Sequence, residues 1–564
     1  MMMIRIILLS SLFILTLSYL NVKTSISSPS PRKNSIDNDY DIVIIGAGIG
    51  GLSAGAILSS VYKKKVGVFE AHYHAGGVAH SFPIVSKSDH TYLFDAGPTI
   101  ILGASSMPYN PLRQVLDFVG ASCEWIPWYE WGMVTEHGHW DFKLGEGHFE
   151  KTLLEFGGID AVNEFKDLRK ACIPLTAGAA KIPTRSLRGD SFKLLPLLKH
   201  YDALQKVIPY ADVLDGSFEP FMKKYVKNKF LQSWLDALAF SLSGLNAAQT
   251  GAAAMAYTIF DLHRNGATLD YPAGGVGTIA EVLSEVIQAT GGHVHLSKKV
   301  SKICVENNKA VGIKLSDNTF VKAKRGVINN ANIWSLGSLL ADEQDKLTEE
   351  QRQYLIVNSA EKKETKSFLH LHLGLDTSGL DLNKMKAHYT VMDIGLQSAD
   401  PCLDRNMVAV SNPSLLDKTL VKGPDGKYAD NKIMIHAYGA GNENYDIWNN
   451  LSRDEYEKKK LNDSEFLYRS ISRALDISID EIKRRSDIAL VGTPLTHERF
   501  NRRYKGTYGS SWGSMISTPV TPLKSLYLAG DSVFPGIGIP AVALSGAIAA
   551  NTMINPLKHF AKVL

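Results

Sequence analysis

The run from Tyr40 to Glu70 limits the folds open to this chain more than any other part of the sequence. Tyr40–Ile45 is a short apolar, β-branched run that predicts a buried strand. Gly46–Gly51 follows it directly, and Leu52–Ser59 has the small and apolar residues of a helix that lies on a strand. A second strand is predicted at Val66–Phe69. Together these segments predict the strand–turn–helix–strand unit of an α/β fold.

The glycines of this unit have the spacing of a dinucleotide-binding turn. Gly46 permits the tight turn, Gly48 allows the backbone to approach a pyrophosphate, and Gly51 allows the helix to pack closely on the strand. Phosphates then lie at the helix N-terminus, where free N–H groups and the helix dipole favour negative charge. Glu70 ends the second strand, in the position from which a carboxylate binds ribose hydroxyls.

Length and composition exclude several classes of protein. A chain of 564 residues predicts two or three folding units. The net charge of +4 is too close to balance for a nucleic-acid-binding protein, so no nucleic-acid partner is expected. Four scattered cysteines without a paired spacing argue against a disulfide scaffold or a structural zinc site, and no metal site is predicted.

The first 38 residues are predicted to be a targeting segment rather than part of the fold. Ile4–Leu20 is an apolar stretch with a single positive charge, Arg5, at its start, and it has the length of a secretory signal. Residues 21–36 are rich in Ser and Pro, carry basic residues and contain no acid, which is typical of a transit peptide. A signal followed by a transit-like stretch predicts a plastid reached through the ER, as in algae with complex plastids. The alternative is a plain ER signal with a linker.

Further motifs follow along the chain. Gly76-Gly77 lies shortly after Glu70, and Ser525–Asp531 reads as a strand that ends in Gly-Asp. Gly538 and Pro540 then precede a predicted helix at Ala541–Ala550. This arrangement resembles the amine-oxidase and phytoene-desaturase group of FAD enzymes, so FAD is the expected cofactor.

That resemblance implies roles for individual residues. Asp531 is expected to meet the ribityl chain of the cofactor, and the helix that begins near Gly538 and Ala541 is expected to point its N-terminus at the flavin pyrimidine. A helix N-terminus there would stabilise negative charge on a reduced flavin. The strand that starts at Val300 is expected to pass the adenine, and Gly76 and Gly77 to contact the cofactor.

The expected architecture is an α/β fold with a Rossmann-like FAD-binding domain of the amine-oxidase type. Tyr271–Gly277 predicts the start of a helix that runs to about Thr290, and several strands follow it up to Asn329. The FAD-binding domain is therefore assembled from three segments, residues 39–105, 265–335 and 490–564. Residues 106–264 and 336–489 are expected to form an inserted α+β substrate-binding domain.

Five shorter runs resemble the carotenoid isomerases of plants and cyanobacteria. They are residues 246–250, 271–277, 491–497, 505–509 and 530–536. The resemblance implies cis–trans isomerisation of a carotenoid or related polyene by an enzyme with reduced FAD. Ile537, Ile539-Pro540 and residues 510–512 depart from the residues expected in an isomerase, and they flank the expected flavin site.

Because one fold supports several chemistries, other functions stay open. Hydration, saturation or desaturation of a carotenoid are the alternatives within the enzyme class. A further alternative is a non-catalytic lipid or prenyl escort, similar to GDP-dissociation inhibitors. The intact glycine turn, Glu70 and Gly530-Asp531 favour an enzyme, since an escort does not need the full cofactor-binding apparatus.

No catalytic residue is assigned from the sequence, but four polar residues are candidates. His497, Glu498, Arg499 and Lys505 cluster before Gly506–Gly509, in a segment that resembles the family and precedes the last predicted strand. The alternative interpretation of this group is a set of ion pairs at or near the surface.

Peripheral membrane contact is also predicted. Phe221–Phe230 combines aromatic residues with four lysines, as an interfacial segment does, and Leu194–Leu198 adds a second apolar run. A carotenoid is dissolved in lipid, so a membrane-facing substrate entrance fits the expected chemistry. The alternative for Phe221–Phe230 is a core segment with a solvated basic face.

Overall fold

The computed structural model describes residues 37–97, 100–177 and 181–563, and the predicted targeting segment lies outside them up to Ile36. The strands within the described residues are β1 (Asp39–Ile45), β2 (Val66–Phe69), β3 (Ser81–Val85), β4 (Thr91–Asp95), β5 (Ile101–Leu102), β6 (Trp125–Trp128), β7 (Glu130–Thr135), β8 (Gly138–Lys143), β9 (Leu269–Pro272), β10 (His293–His295), β11 (Val300–Glu306), β12 (Lys309–Leu315), β13 (Phe320–Asn329), β14 (Ser367–Asp376), β15 (His388–Met392), β16 (Met407–Ser411), β17 (Val421–Lys422), β18 (Lys432–Glu443), β19 (Ser486–Gly492) and β20 (Leu526–Leu528).

The α-helices of the same residues are α1 (Ile49–Ala56), α2 (Pro111–Val119), α3 (Phe149–Ala177), α4 (Leu194–Leu197), α5 (Tyr201–Val207), α6 (Ala211–Leu214), α7 (Phe218–Met222), α8 (Lys229–Ser243), α9 (Ala252–Leu262), α10 (Gly277–Ala289), α11 (Leu336–Leu339), α12 (Glu349–Arg352), α13 (Asn358–Ala360), α14 (Tyr445–Asn449), α15 (Arg453–Leu475), α16 (Ile479–Arg485), α17 (Pro494–Asn501), α18 (Ile539–Met553) and α19 (Pro556–Val563). None of the helices that the structure describes is long and apolar enough to cross a membrane.

The first sheet has the order β10-β2-β1-β13-β12-β11, with β20 paired to the end of β13. β10, β2, β1, β13 and β20 are parallel, so their carboxyl ends meet at one edge. In register, Ile44 lies between Val68 and Ile328. These apolar strands are buried with residues of α1, α10 and α18 in a common core, which is why the strands read as continuous apolar runs.

The second sheet has the order β19-β14-β18-β16-β15-β7-β8 and is antiparallel except for the pair β15–β7. β7 and β8 come from the first predicted insertion and β14, β15, β16 and β18 from the second, so one sheet unites both insertions. Leu369, Leu371 and Leu373 on β14 lie in a core with residues of α15. The alternate residues His370 and His372 are therefore on the opposite face. The predicted α/β fold with an additional α+β region is confirmed, whereas the domain boundaries stay a prediction.

Two predicted segments differ in the structure. The helix expected from Tyr271 begins only at Gly277, because Leu269–Pro272 pairs as β9 with β5 and β6. Within Phe221–Phe230 the side chains of Phe221, Val226 and Phe230 are buried in a core with residues of α3 and α9. The lysines of this segment are exposed. The structure thus favours the interpretation of a core segment with a solvated basic face there.

Candidate functional site

The glycine turn lies between β1 and α1 and is held by close backbone contacts. A Cβ atom at Gly51 would lie 2.3 Å from the carbonyl oxygen of Gly46, so only glycine permits this approach of helix to turn. Gly76 has φ +114° and donates its N–H to the carbonyl of Ala47 at 2.7 Å. The Gly76-Gly77 loop therefore runs directly beside Gly48, with which Gly76 forms a β-bridge.

Glu70 fixes the turn from the end of β2. Its carboxylate accepts the backbone N–H groups of Ala47 and His72, each at 2.8 Å. Burial raises the pKa of Glu70 above its usual value, although these two N–H groups act in the opposite direction. A carboxylate has about four acceptor sites, so Glu70 retains sites for hydroxyl donors of a ligand.

A cavity of about 420 Å³, here called the glycine-turn cavity, opens at this edge of the first sheet. Eight of the residues predicted to bind the cofactor line it: Gly46, Gly48, Glu70, Gly76, Gly77, Val300, Asp531 and Gly538. Gly51 instead packs beneath the turn, against Gly46. Ala541 is not among the lining residues, but Ile539 and Val542 of the same helix are. The structure thus brings three separate chain segments to one cavity.

Two helix N-termini approach the glycine-turn cavity. α1 begins after Gly48 and α18 after Gly538, and neither has a capping side chain or an acidic residue in its first turn. The helices are in close contact, because a Cβ atom at Gly546 would lie 2.0 Å from the carbonyl oxygen of Gly50. Free N–H groups and the two helix dipoles therefore favour anionic groups of a ligand at this place.

Asn330 was not predicted from the sequence, although it directly follows the predicted strand that became β13. It lines the glycine-turn cavity, and its Nδ2 donates to the carbonyl of Gly46 at 3.4 Å. Its Oδ1 is buried and has no hydrogen-bond partner. A buried acceptor beside a cavity fits a hydroxyl-bearing ligand, since an unpaired buried polar atom is otherwise costly.

Arg503 is a second site residue that the sequence did not reveal. Its Nε donates to the carbonyl of Thr507 at 2.9 Å and its Nη2 to that of Tyr508 at 2.7 Å. Its Nη1 donates to the carboxylate of Asp531, and both side chains of this ion pair are less than one fifth exposed. Arg503 therefore ties the loop after α17 to the end of β20 and holds a cation in the cavity wall.

His497 is the candidate catalytic residue that lies at the cavity. It is buried on α17, lines the glycine-turn cavity, and its Nε2 is 3.0 Å from Nδ1 of His370. Its ring contacts that of Phe368 in a tilted arrangement, with ring centroids 4.0 Å apart. Burial, helped by His370 and Arg503, holds the pKa of His497 well below its usual value, so the ring is neutral near pH 7.

The other three candidates have different surroundings. Glu498 accepts a hydrogen bond from the hydroxyl of Tyr445 at 2.6 Å. Arg499 is exposed, and Lys505 forms an ion pair with Glu364 at 3.0 Å. None of the three lines the glycine-turn cavity. The ion-pair interpretation therefore fits Lys505 best.

A second cavity of about 880 Å³, here called the histidine cavity, adjoins the first one. The two share wall residues, among them His72 and His497. Its wall combines apolar side chains of β3 and of the segment 490–495 with the buried rings of His370 and His372. Glu498 and Arg499 also line it. The two adjoining cavities thus offer a chamber beside the glycine turn and a second chamber whose wall has both apolar and charged residues.

No group of three or more His, Cys, Asp and Glu residues that could hold a metal ion occurs among the described residues. The residues around the two cavities offer helix N-termini, the partly buried carboxylates of Glu70 and Asp531, the cation of Arg503 and neutral histidines.

Comparison with known proteins identifies a family and several relatives of this chain. The family model of flavin containing amine oxidoreductase matches residues 49–554. The chain is 29% identical over 536 residues to the chloroplastic prolycopene isomerase of Arabidopsis thaliana, which covers 92% of this chain and 83% of that protein. It is 24% identical over 563 residues to the all-trans-retinol 13,14-reductase of Danio rerio, covering 92% of this chain and 86% of that protein.

Solved structures share the fold. An oxidoreductase from Methanosarcina mazei superimposes with a TM-score of 0.59 at 18% sequence identity, covering 90% of this chain and 98% of that chain. This likeness supports the fold described above.

Proposed function

The chain belongs to the flavin containing amine oxidoreductase family, and from this premise we propose that it is an FAD-dependent enzyme that isomerises carotenoid double bonds between cis and trans. Membership confirms that the chain is a flavin-dependent, oxidoreductase-like enzyme, so the non-catalytic escort is set aside. The observation that carries the finer proposal is similarity to a prolycopene isomerase over 92% of this chain.

We propose that the glycine-turn cavity holds FAD, and the residues that line it support this. We assign the ribose hydroxyls to Glu70, the pyrophosphate to the N-terminus of α1, and the ribityl hydroxyls to Asp531 and to the unpaired Oδ1 of Asn330. The N-terminus of α18 is assigned to the flavin ring and Val300 to the adenine. When bound and reduced, FAD would supply the electron density that lowers the double-bond order of a polyene without net redox change.

The residues of this chain would hold the polyene against the flavin. We propose that the polyene occupies the histidine cavity, whose apolar residues of β3 and of the segment 490–495 and whose volume of about 880 Å³ suit a long apolar ligand. At the junction His497 is neutral, because the pKa of its ring is held low by burial. The cation of Arg503 is compensated by Asp531. We propose that this balance of charge at the junction allows the polyene to approach the flavin there.

A product analysis tests the proposal directly. The purified chain, loaded with FAD and reduced anaerobically, is incubated with a panel of detergent-dispersed cis carotenoids, and products are separated by chromatography and weighed by mass spectrometry. We expect a new retention time with unchanged mass. An oxidised-flavin sample is the control. A gain of one water would instead identify a hydratase, and loss of two hydrogens a desaturase.

Saturation is the second candidate, since the chain is also similar to a retinol 13,14-reductase. A gain of two hydrogens, with stoichiometric oxidation of the flavin, would favour it over isomerisation. Ile537 and Ile539, which line the glycine-turn cavity and depart from the expected isomerase residues, are the positions where we propose that the two reactions are distinguished.

We further propose a plastid location. The supporting observations are the chloroplastic names of the isomerase relatives and the transit-like composition of residues 21–36. Residues 1–38 fused to a fluorescent protein should direct it to the plastid of an algal host, and a fusion of residues 21–38 alone distinguishes import through the ER from direct import. Retention of both fusions outside the plastid would refute this location.

A further inference from the structure

An apolar stripe faces solvent on the segment that contains α4 and α5. Leu194, Leu198, Tyr201 and Ile208, here called the outer stripe, are 61%, 62%, 58% and 66% exposed. Their spacings of four, three and seven residues place them on one side of a nearly continuous helical segment. Ala203, by contrast, is buried. The segment therefore has a second apolar side, in addition to the one that packs on the protein.

Exposed lysines flank the outer stripe. Lys193, Lys199 and Lys206 are exposed in the same segment, and Asp202 is the exposed acid between them. The acid Asp190 is bonded to the buried Arg188 and does not offset these cations. An apolar stripe with lysines at its sides has the pattern of a helix that lies in the plane of a membrane surface.

A neighbouring helix enlarges the same surface. α19 is in contact with α4, and its Leu557 is 70% exposed. Lys558 and Lys562 on α19 are exposed as well, and α19 contains no acidic residue. Two adjacent helices thus present exposed leucines together with lysines, and this charge is complementary to anionic lipid headgroups.

We propose that the outer stripe, together with α19, docks this enzyme on the surface of an anionic lipid bilayer. The apolar side chains enter the headgroup boundary, and the lysines contact lipid phosphates. The proposal rests on the proposed function in that a lipid-dissolved polyene would need such a surface, but docking itself requires neither flavin nor carotenoid. It assigns membrane contact to α4, α5 and α19 rather than to Phe221–Phe230.

Vesicle co-sedimentation of the full chain tests this docking. Vesicles of phosphatidylcholine alone are compared with vesicles that also contain phosphatidylglycerol, at low and high salt. We expect binding to the anionic vesicles that weakens with salt. Leu194→Glu with Leu198→Glu should reduce partitioning at least about tenfold, because both apolar anchors are lost. Lys193→Gln with Lys199→Gln should weaken the salt dependence, while Lys206, Lys558 and Lys562 retain part of it.

The matched control is Leu461→Glu on α15, which replaces a leucine that is 65% exposed elsewhere on the surface. It should bind vesicles as the parent chain does. The proposal would be overturned if the Leu194→Glu, Leu198→Glu variant bound anionic vesicles as well as the parent chain does. It would also be overturned if Leu461→Glu lost as much vesicle binding as that double variant. Conversion of detergent-dispersed carotenoid is assayed in parallel: an inactive parent that still docks would refute the proposed function and leave docking intact.

A site-specific reporter separates docking by the stripe from binding through residues 1–36. An environment-sensitive fluorophore is attached to Leu198→Cys, and the parent chain, with its buried or partly buried cysteines, is labelled in parallel as background. Anionic vesicles should shift the emission of the fluorophore at position 198 to the blue, and a lipid-borne quencher should reduce the intensity of that emission. The same label at Leu461→Cys should not respond. Vesicle-bound protein without a response at position 198 would overturn the proposal.

Discussion

His370 on β14 and His497 on α17 are joined by a hydrogen bond of 3.0 Å between Nδ1 of the first ring and Nε2 of the second. Both rings are buried, and both line the histidine cavity. Since burial lowers both pKa values, the pair is neutral and shares one proton between the two nitrogens. The bond fixes the orientation of His497 at the wall that the two cavities share.

Replacing His497 should affect turnover without affecting the flavin. His497→Phe keeps a ring beside Phe368 but removes the nitrogen that pairs with His370. We expect turnover to fall at least about tenfold, with bound flavin per chain unchanged, since positioning groups near a reacting centre contribute factors of this size or more. His139→Phe, at an exposed histidine that lines neither cavity, is the control. Full turnover in His497→Phe would remove this residue from the site.

The buried histidines should make stability depend on pH. Burial lowers the pKa of His370 from 6.5 to about 3, so between these values the unfolded chain binds more protons than the folded one. Stability therefore rises with pH across this window, and it is lost as the pH falls below 6.5. From pH 7 to pH 5, His370 should account for a loss of about 2 kcal/mol in the free energy of unfolding.

Urea unfolding at pH 7 and pH 5 measures this loss. His370→Gln should lose about 2 kcal/mol less than the parent chain over that interval. The exposed His139→Gln is the matched control and should follow the parent. An unchanged pH dependence in His370→Gln would show that this ring does not titrate on unfolding as expected.

The approach of α1 to the turn should be sensitive to a single methyl group. In Gly51→Ala the new Cβ would lie 2.3 Å from the carbonyl oxygen of Gly46, so the turn must move. We expect the free energy of unfolding to fall by about 1–3 kcal/mol and flavin absorbance per chain to fall with it. Gly337→Ala on α11 is the control, because its Cβ would meet only Ile356 at an ordinary 3.8 Å.

The ion pair of Arg503 and Asp531 should be needed to hold the cofactor. Arg503→Met leaves the carboxylate of Asp531 without its partner and two carbonyls without a donor. Loss of one member of a largely buried pair costs about 3 kcal/mol, so we expect a lower melting temperature and weaker flavin retention on dialysis. Arg499→Met replaces an exposed arginine on α17 and should behave as the parent. Equal flavin retention in both variants would contradict the assigned role.

The sequence predicts the parts of this site that depend on local pattern. The glycine turn, the strand before it and Glu70 form one short stretch. In this stretch, steric or electrostatic requirements of the turn explain why each residue type is present. Asn330 escapes such a prediction because its partner Gly46 lies far along the chain. Arg503 escapes it because its bonds go to an irregular loop and to Asp531, which no periodic pattern relates to it. For Asn330 a signal exists, since it follows a predicted parallel strand, whose carboxyl end must meet the others.

Exposure is the property that local pattern predicts least well. Phe221–Phe230 and Leu194–Leu198 both read as apolar runs with lysines, yet the first packs its aromatic rings inward and the second leaves Leu194 and Leu198 in solvent. The difference is decided by which segments have helices such as α3 and α9 to pack against. A pattern of residue types does not contain that information.

The pairing of β7 with β15 has a consequence for folding during synthesis on the ribosome. β7 and β8 emerge early, but their partner β15 follows more than two hundred residues later, and β1 likewise waits for β13. Contacts so distant in sequence make folding slow. Until the last strand is synthesised, the nascent chain exposes incompletely paired sheet edges, which can pair with other chains and aggregate. We therefore expect the yield of folded protein in a foreign host to depend on chaperones more than on codon choice.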